Sequence, residues 1–150
     1  MKYPTLIGLL FALLSVTTTN AQDNGGTKPK LYANFPDKIT CPDLELSKAF
    51  VTTDKQIISL SFSDHFIFNG IVTSNITKYN NLQTIIIRSA ETDNVIFSLS
   101  KIINADNSIT YVGRIINTKY ADGYELKKDA QNNYQLIKFE TDKILEECKQ

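Results

Sequence analysis

The chain has 150 residues, of which 16 are basic and 16 acidic, so its formal net charge is zero. It contains two cysteines, one histidine and no tryptophan. The basic residues form no cluster or stripe, which argues against binding to nucleic-acid phosphates or to an acidic membrane surface. The sequence shows no repeat of solenoid period and no low-complexity segment, and its length favours one domain.

The first residues predict a secretory signal peptide. Lys2 precedes the apolar run LIGLLFALLSV, which is too short to span a bilayer, and small residues precede a cleavage site before Gln22. A membrane anchor or a buried helix is the alternative. We expect residues 1–21 to be removed, residues 22–30 to form a flexible leader and residues 31–150 to fold as a single β-rich domain. The protein is then secreted or periplasmic, with no transmembrane segment.

The two cysteines, Cys41 and Cys148, lie near opposite ends of this domain. An isolated pair in an oxidising compartment predicts a disulfide. Closing a loop of roughly a hundred residues would stabilise the fold by up to about 4–5 kcal/mol. Two separate thiols or a redox pair are the alternatives, although redox pairs favour close spacing such as C-x-x-C.

A helix is predicted at each end of the domain. In CPDLELSKAF, Pro42 suits the first helical position, and one face carries Leu46, Ala49 and Phe50. In TDKILEECKQ, Thr141 can cap a helix, and one side carries Ile144, Leu145 and Cys148. Both apolar faces are expected to pack against a sheet.

The central part of the chain predicts β-strands. Apolar and polar residues alternate in QIISLSF, NVIFSLSKII and SITYVGRII, and FIFNGIV, LQTIIIRSA, DGYELK and NYQLIKFE are also β-rich. The connections are short and carry Asn, Asp or Gly, so they leave no room for helical crossovers. The predicted fold class is mainly β (α+β): an antiparallel meander of about six or seven strands, open or partly closed into a barrel. Isoleucines on both faces of residues 85–87 and 115–116 favour partial closure, or coverage of the second face by the helices.

The stretch FSDHFIFNG holds Asp64 and His65, the first place to look for a reaction centre. Ser63 and Asp64 suit a hairpin turn, and side chains adjacent in a strand point to opposite faces, so Asp64 and His65 are not expected to pair. Three Cys and His residues after the signal peptide are too few for structural zinc, and the Asn/Asp turns lack the ligand spacing of a calcium loop. The sequence has neither a nucleophile elbow nor a phosphate loop. We predict no catalytic residue, no metal site and no cofactor.

Arg88 and Arg114 are, with His65, the candidate residues for contact with a ligand or partner. Both arginines lie in predicted strands, where a guanidinium can bind a carboxylate or phosphate through two hydrogen bonds. A cross-strand ion pair with a neighbouring acid is the favoured alternative. Four tyrosines could form a contact surface or, as we expect, part of the core: Tyr111, Tyr120, Tyr124 and Tyr134.

The sequence therefore favours an exported, monomeric and non-enzymatic binding or protein-interaction module, acting through an exposed sheet face or edge. A carrier of a small apolar ligand in a barrel cavity is the second hypothesis. A hydrolase that uses convergent carboxylates is the third. The outline resembles small exported β-barrels of the lipocalin type in architecture only, because the chain carries no lipocalin sequence motif.

Overall fold

The computed structural model describes residues 28–141 and contains, within that range, one helix and eight strands. In chain order these are β1 (Lys38–Cys41), α1 (Asp43–Phe50), β2 (Ile57–Ser63), β3 (Phe66–Lys78), β4 (Leu82–Ser89), β5 (Ile96–Ile103), β6 (Ile109–Ile116), β7 (Asp122–Lys128) and β8 (Tyr134–Glu140).

All eight strands form one antiparallel sheet with the order β1-β8-β7-β6-β5-β4-β3-β2. Strands β2 to β8 form the predicted meander. The outermost strands, β1 and β2, lie against each other without a hydrogen-bonded ladder, so the sheet is a nearly closed barrel.

The predicted count of six or seven strands is too low, because the sequence analysis did not identify β1. This strand is only four residues long, and it pairs with the last strand of the described chain, from Lys38 opposite Ile137 to Cys41 opposite Tyr134. Four residues are too few for alternation to distinguish a strand from a loop. Pairing over such a sequence separation leaves no local signal.

The interior contains the side chains that the alternation predicts. Strand β2 buries Ile58, Leu60 and Phe62, and β5 buries Phe97 and Leu99. Aromatic rings fill much of the remaining space at edge-to-face distances of about 5–6 Å. Examples are Phe62 with Phe97 at 6.0 Å, Phe68 with Phe97 at 5.5 Å and Tyr111 with Tyr134 at 5.4 Å between ring centroids.

Helix α1 covers one end of the barrel, and its predicted apolar face is confirmed: Leu46, Ala49 and Phe50 are buried. The Phe50 ring stacks on Tyr111 with 5.8 Å between centroids. Carbonyl groups at a helix C-terminus have no partner within the helix. Here the Gln83 amide donates to the Phe50 carbonyl at 3.0 Å, and the Asn75 amide donates to the carbonyl of Thr52, just beyond the helix, at 2.7 Å.

The segment before β1 covers the other end of the barrel through a buried carboxylate, Asp122. Its two oxygens accept hydrogen bonds from the backbone N–H groups of Leu31, at 2.7 Å, and Tyr32, at 2.9 Å. The Tyr32 ring packs on Tyr124 with 5.0 Å between centroids, and the Tyr124 hydroxyl donates to the Pro36 carbonyl at 2.5 Å. Asp122 is completely buried, and the N–H groups of Leu31 and Tyr32 give each of its carboxylate oxygens a hydrogen-bond donor.

Asparagines in four turns agree with the prediction that the connections between strands carry Asn, Asp or Gly. Each has a φ between 59° and 64°, in the left-handed region that asparagine tolerates better than most residues; they are Asn80, Asn94, Asn107 and Asn132. The turns join β3 to β4, β4 to β5, β5 to β6 and β7 to β8.

Several predicted features lie outside the described residues: the signal peptide, most of the leader, nearly all of the closing helix, and Cys148. The described end of the leader is held on the barrel. The Ala121 N–H donates to the Pro29 carbonyl at 2.9 Å, and the Lys30 ammonium lies 2.7 Å from a Glu140 carboxylate oxygen.

Replacing Asp122 with asparagine tests the role of this carboxylate. The amide nitrogen cannot accept a hydrogen bond, so Asp122→Asn should lower the free energy of unfolding by about 1–3 kcal/mol, measured by urea denaturation. The exposed Asp54 offers a control, for which Asp54→Asn should change stability by about 0.5 kcal/mol or less. Equal effects of the two substitutions would contradict the anchoring role.

Candidate functional site

The histidine lies in a tight turn. Asp64 and His65 form the two-residue connection between β2 and β3, where Ser63 pairs with Phe66, and both side chains are exposed. His65 borders a cleft of about 220 Å³ in which the Asn69 amide donates to Glu91 at 2.6 Å. This volume is below the range of about 300–1,000 Å³ that is typical of small-molecule sites.

Arg114 forms the cross-strand ion pair that the sequence analysis favoured. It lies opposite Glu125, and its Nη2 and Nε atoms are 2.7 Å and 3.1 Å from the same Glu125 oxygen. Partial burial alone would raise the pKa of Glu125, but hydrogen bonds from Lys127 and Arg114 outweigh it and lower the pKa below the usual value. Arg114 therefore already has a partner within the fold.

Arg88 lies on the outer face of β4 with a different environment. Its neighbours in register are Ile71 on β3 and Ile96 on β5. Its side chain is exposed, and it has no ion pair within residues 28–141. An exposed guanidinium between two isoleucines remains able to bind a carboxylate with two hydrogen bonds.

The surface around Arg88 is rich in apolar side chains. Ile85 and Ile87 are buried, so Ile86 and Arg88 point outward, and the same alternation applies along β3, β5 and β6. We call the outward side of β3–β6 the isoleucine face. Its apolar members are Ile67, Ile71, Ile76, Leu82, Ile86, Ile96, Ile102, Val112 and Ile116.

The isoleucine face is open to solvent, and its other members are mainly uncharged. The exposed fraction is 61% for Ile76, 46% for Val112 and 43% for Ile71. Between them, the hydroxyls of Thr84 and Ser100 bond to each other at 2.8 Å. Strands lie about 4.8 Å apart and rise about 3.4 Å per residue, so the face measures roughly 20 Å by 20 Å.

The sheet face on the opposite side of the barrel is more strongly charged. On β7 the outward Glu125 binds both Arg114 and Lys127, and on β1 the outward Lys38 is exposed. The outward position on β8 between them is held by the half-buried Ile137, and the next outward position along β8, opposite Lys127, is held by the polar Gln135. Among the large apolar residues of the described strands that are exposed, Ile57 lies on β2 and the others lie on β3, β5 and β6, so apolar exposure is concentrated on β3–β6.

Three of the four tyrosines belong to the core, as expected: Tyr111, Tyr124 and Tyr134 are buried, whereas Tyr120 is half-buried. The Tyr134 hydroxyl accepts a hydrogen bond from the Tyr111 N–H at 2.8 Å. Burial, reinforced by the negative charges of Asp37 and Asp122, raises the pKa of Tyr124 to about 12. These hydroxyls are structural and do not form a contact surface.

Within residues 28–141, no group of three or more His, Cys, Asp and Glu side chains is arranged to hold a metal ion. No helix in this range is long and apolar enough to cross a membrane. Comparisons of the chain with protein family models, with curated proteins and with solved structures gave no match.

Cys41 is the buried final residue of β1, and its side chain is only 2% exposed. Burial raises the pKa of its thiol to about 12. Its proposed partner, Cys148, lies outside the described residues, so the disulfide stays a prediction. A reduced Cys41 is protonated at neutral pH and shielded from solvent, which makes it a poor nucleophile.

The reactivity of Cys41 can be measured in a Cys148→Ser variant, which has no other cysteine. At pH 8, iodoacetamide should modify the folded variant on the order of a hundredfold more slowly than the urea-unfolded variant, because the thiolate is suppressed and inaccessible. Mass spectrometry measures both rates. Modification of the folded variant at the rate of the unfolded chain would contradict the buried position of Cys41.

Proposed function

We propose that the protein is an exported, non-enzymatic interaction module that binds a protein partner through the isoleucine face. The observation that carries this proposal is the concentration of outward apolar side chains on four adjacent strands. Monomeric proteins rarely leave a contiguous apolar patch of several hundred Å² exposed without an interaction to make. The partner is a protein surface that is apolar and places a carboxylate at Arg88.

The interior gives less support to the carrier hypothesis. The positions that would line a cavity hold aromatic rings in mutual contact, including Phe62, Phe68, Phe97, Tyr111 and Tyr134. Helix α1 and the segment around Tyr32 cover the two ends. A bound apolar molecule of ordinary size would have to displace several of these side chains.

The electrostatics give little support to a hydrolase. A general acid that operates near neutral pH needs a raised pKa. Within residues 28–141, the pKa is shifted downward for Glu45, Asp106, Glu125 and Asp129. In Glu45 the main cause is the hydrogen bond from the Ser61 N–H, which supports a structural role.

Site-specific photo-cross-linking tests the proposed surface. A photoreactive amino acid is placed either at Ser98, which points outward in the isoleucine face, or at Gln135, which points outward on β8. In cells that export the protein, the Ser98 position should give an adduct with a discrete protein, and the Gln135 position should not. The adduct is identified by mass spectrometry.

Charge reversal shows whether the adduct depends on the chemistry of the face. Arg88→Glu should reduce the Ser98 adduct about tenfold or more, because the partner's carboxylate would lose a charge-assisted hydrogen-bonded pair. Lys38→Glu makes the same change in charge on the opposite side and should leave the adduct unchanged. Equal adducts from Ser98 and Gln135, or an adduct that is insensitive to Arg88→Glu, would refute the proposal.

A further inference from the structure

The turn between β3 and β4 holds a tyrosine in left-handed backbone. Within residues 28–141, six residues other than glycine have a positive φ: four are the turn asparagines described above, and the other two are Lys55 and Tyr79. Tyr79 begins the turn and has a φ of 59°. Left-handed backbone brings the Cβ atom close to the following carbonyl oxygen, and asparagine tolerates this better than an aromatic residue does.

The fold gives Tyr79 little in return for this conformation. Its side chain is 75% exposed, and its ring contacts the ammonium group of the adjacent Lys78, whose nitrogen lies 4.8 Å from the ring centroid. Such contacts are weak at exposed sites. Lys55 differs, because its N–H donates to the Val72 carbonyl at 2.7 Å and holds the start of β2 against β3. Residues kept in strained backbone without a structural gain of this kind cluster at functional sites.

Tyr79 lies at one end of the isoleucine face. Lys78 pairs with Leu82 across the hairpin, and Leu82 pairs with Ile102, so these outward side chains form the row of the face that precedes the turn. The next row along β3 begins with Ile76, which is 61% exposed. Because Lys78 points outward and its ammonium lies against the Tyr79 ring, the ring borders the outer side of the sheet. The aromatic ring therefore continues the apolar surface to the tip of the hairpin.

The hairpin that carries this turn projects past β2 but is held by β5. The β2–β3 ladder begins at Ile57 opposite Ile71, whereas β3 continues to Lys78. The strand thus extends roughly 23 Å past this ladder, at about 3.3 Å per residue. The Ile103 N–H donates to the carbonyl of Asn81, the last residue of the turn, at 2.8 Å. A projecting turn that is hydrogen-bonded to the sheet loses less conformational freedom on binding than a free loop.

The charges of the isoleucine face are cationic and lie toward its ends. At the outward positions of β3–β6 the charged residues are Lys78, Arg88 and Arg114. Arg114 is paired with Glu125, whereas Lys78 and Arg88 have no ion pair within residues 28–141. Lys78 lies opposite Leu82, so the two cations are separated by about 20 Å along β4 at about 3.4 Å per residue. A complementary partner surface is apolar in its centre and carries a carboxylate at each end.

We propose that Tyr79 anchors the protein partner at the hairpin end of the isoleucine face. Its ring enters an apolar recess of the partner, and a carboxylate beside that recess binds Lys78. This inference rests on the proposed function, because it assigns a second contact point to the same partner. Tyrosine is enriched among the residues that dominate binding energies, since it buries a large area with few rotatable bonds. The strained backbone of Tyr79 thus serves binding at the expense of stability.

Tyr79→Asn separates binding from stability. Asparagine suits left-handed backbone, so the urea midpoint of unfolding should rise by roughly 0.5 M, while the Ser98 photo-adduct should decrease about tenfold or more. Lys55→Asn is the matched control, because it relieves a positive φ of 67° outside the isoleucine face. It should also raise the midpoint but leave the adduct unchanged. An undiminished Ser98 adduct in Tyr79→Asn, or a lower urea midpoint, would overturn the inference.

A photoreactive phenylalanine analogue in place of Tyr79 identifies what the ring contacts. In cells that export the protein, it should cross-link to the same protein as the Ser98 position does, as mass spectrometry of the adducts shows. A lipid adduct, a glycan adduct or a different protein at position 79 would overturn the inference and leave the Arg88-dependent Ser98 adduct, and with it the proposed function, intact. The absence of adducts at both positions would refute the proposed function and this inference together.

Discussion

The pairing of β1 with β8 is the interaction on which the rest of the structure depends. It joins the first strand of the described fold to the last. It thereby places β1 beside β2, and we call the line where these two outermost strands meet without a hydrogen-bonded ladder the seam. Because α1 connects the two strands that border the seam, it is drawn across the barrel end, where Phe50 packs on Tyr111. Without β1, the sheet would be an open meander with an uncovered interior.

Closure by β1 also explains why the interior is filled. An eight-stranded barrel has an interior just wide enough for side chains to fill it or to hold one small ligand. Here aromatic rings occupy the space, and the ends are covered by α1 and by the segment anchored at Asp122. The proposed binding surface is therefore on the outside, where β3–β6 carry isoleucines at positions that commonly hold polar residues in sheets with one face in solvent.

The parts of the fold that depend on local pattern could be predicted from the sequence. Alternation placed Ile58, Leu60, Phe62, Phe97 and Leu99 inside, and helical spacing identified the buried face of α1, because both signals lie within a single element. The ion pair of Arg114 was also anticipated, since strand residues face an opposite partner. Isoleucines on both faces of residues 85–87 and 115–116 favour partial closure or coverage of the second face by the helices, and the sheet is a nearly closed barrel.

Features that depend on contacts between distant segments could not be predicted. Asp122 reads as an ordinary turn residue, and only the folded chain brings Leu31 and Tyr32 to its carboxylate. In the sequence, Arg88 and Arg114 both lie in predicted strands and look equivalent. The strand register places Arg114 opposite an acidic residue, whereas it places Arg88 between two isoleucines. The isoleucine face likewise emerges only when the registers of β3 to β6 are known.

The central claim is that the barrel is packed inside and binds outside. Native mass spectrometry of the mature protein, purified unreduced from the exporting cell, tests this most directly. The account predicts the mass of the polypeptide without a copurifying small molecule. An apolar molecule that remains bound under gentle conditions and is released on unfolding would contradict it, because such a ligand would need an interior cavity in place of the packed aromatic core.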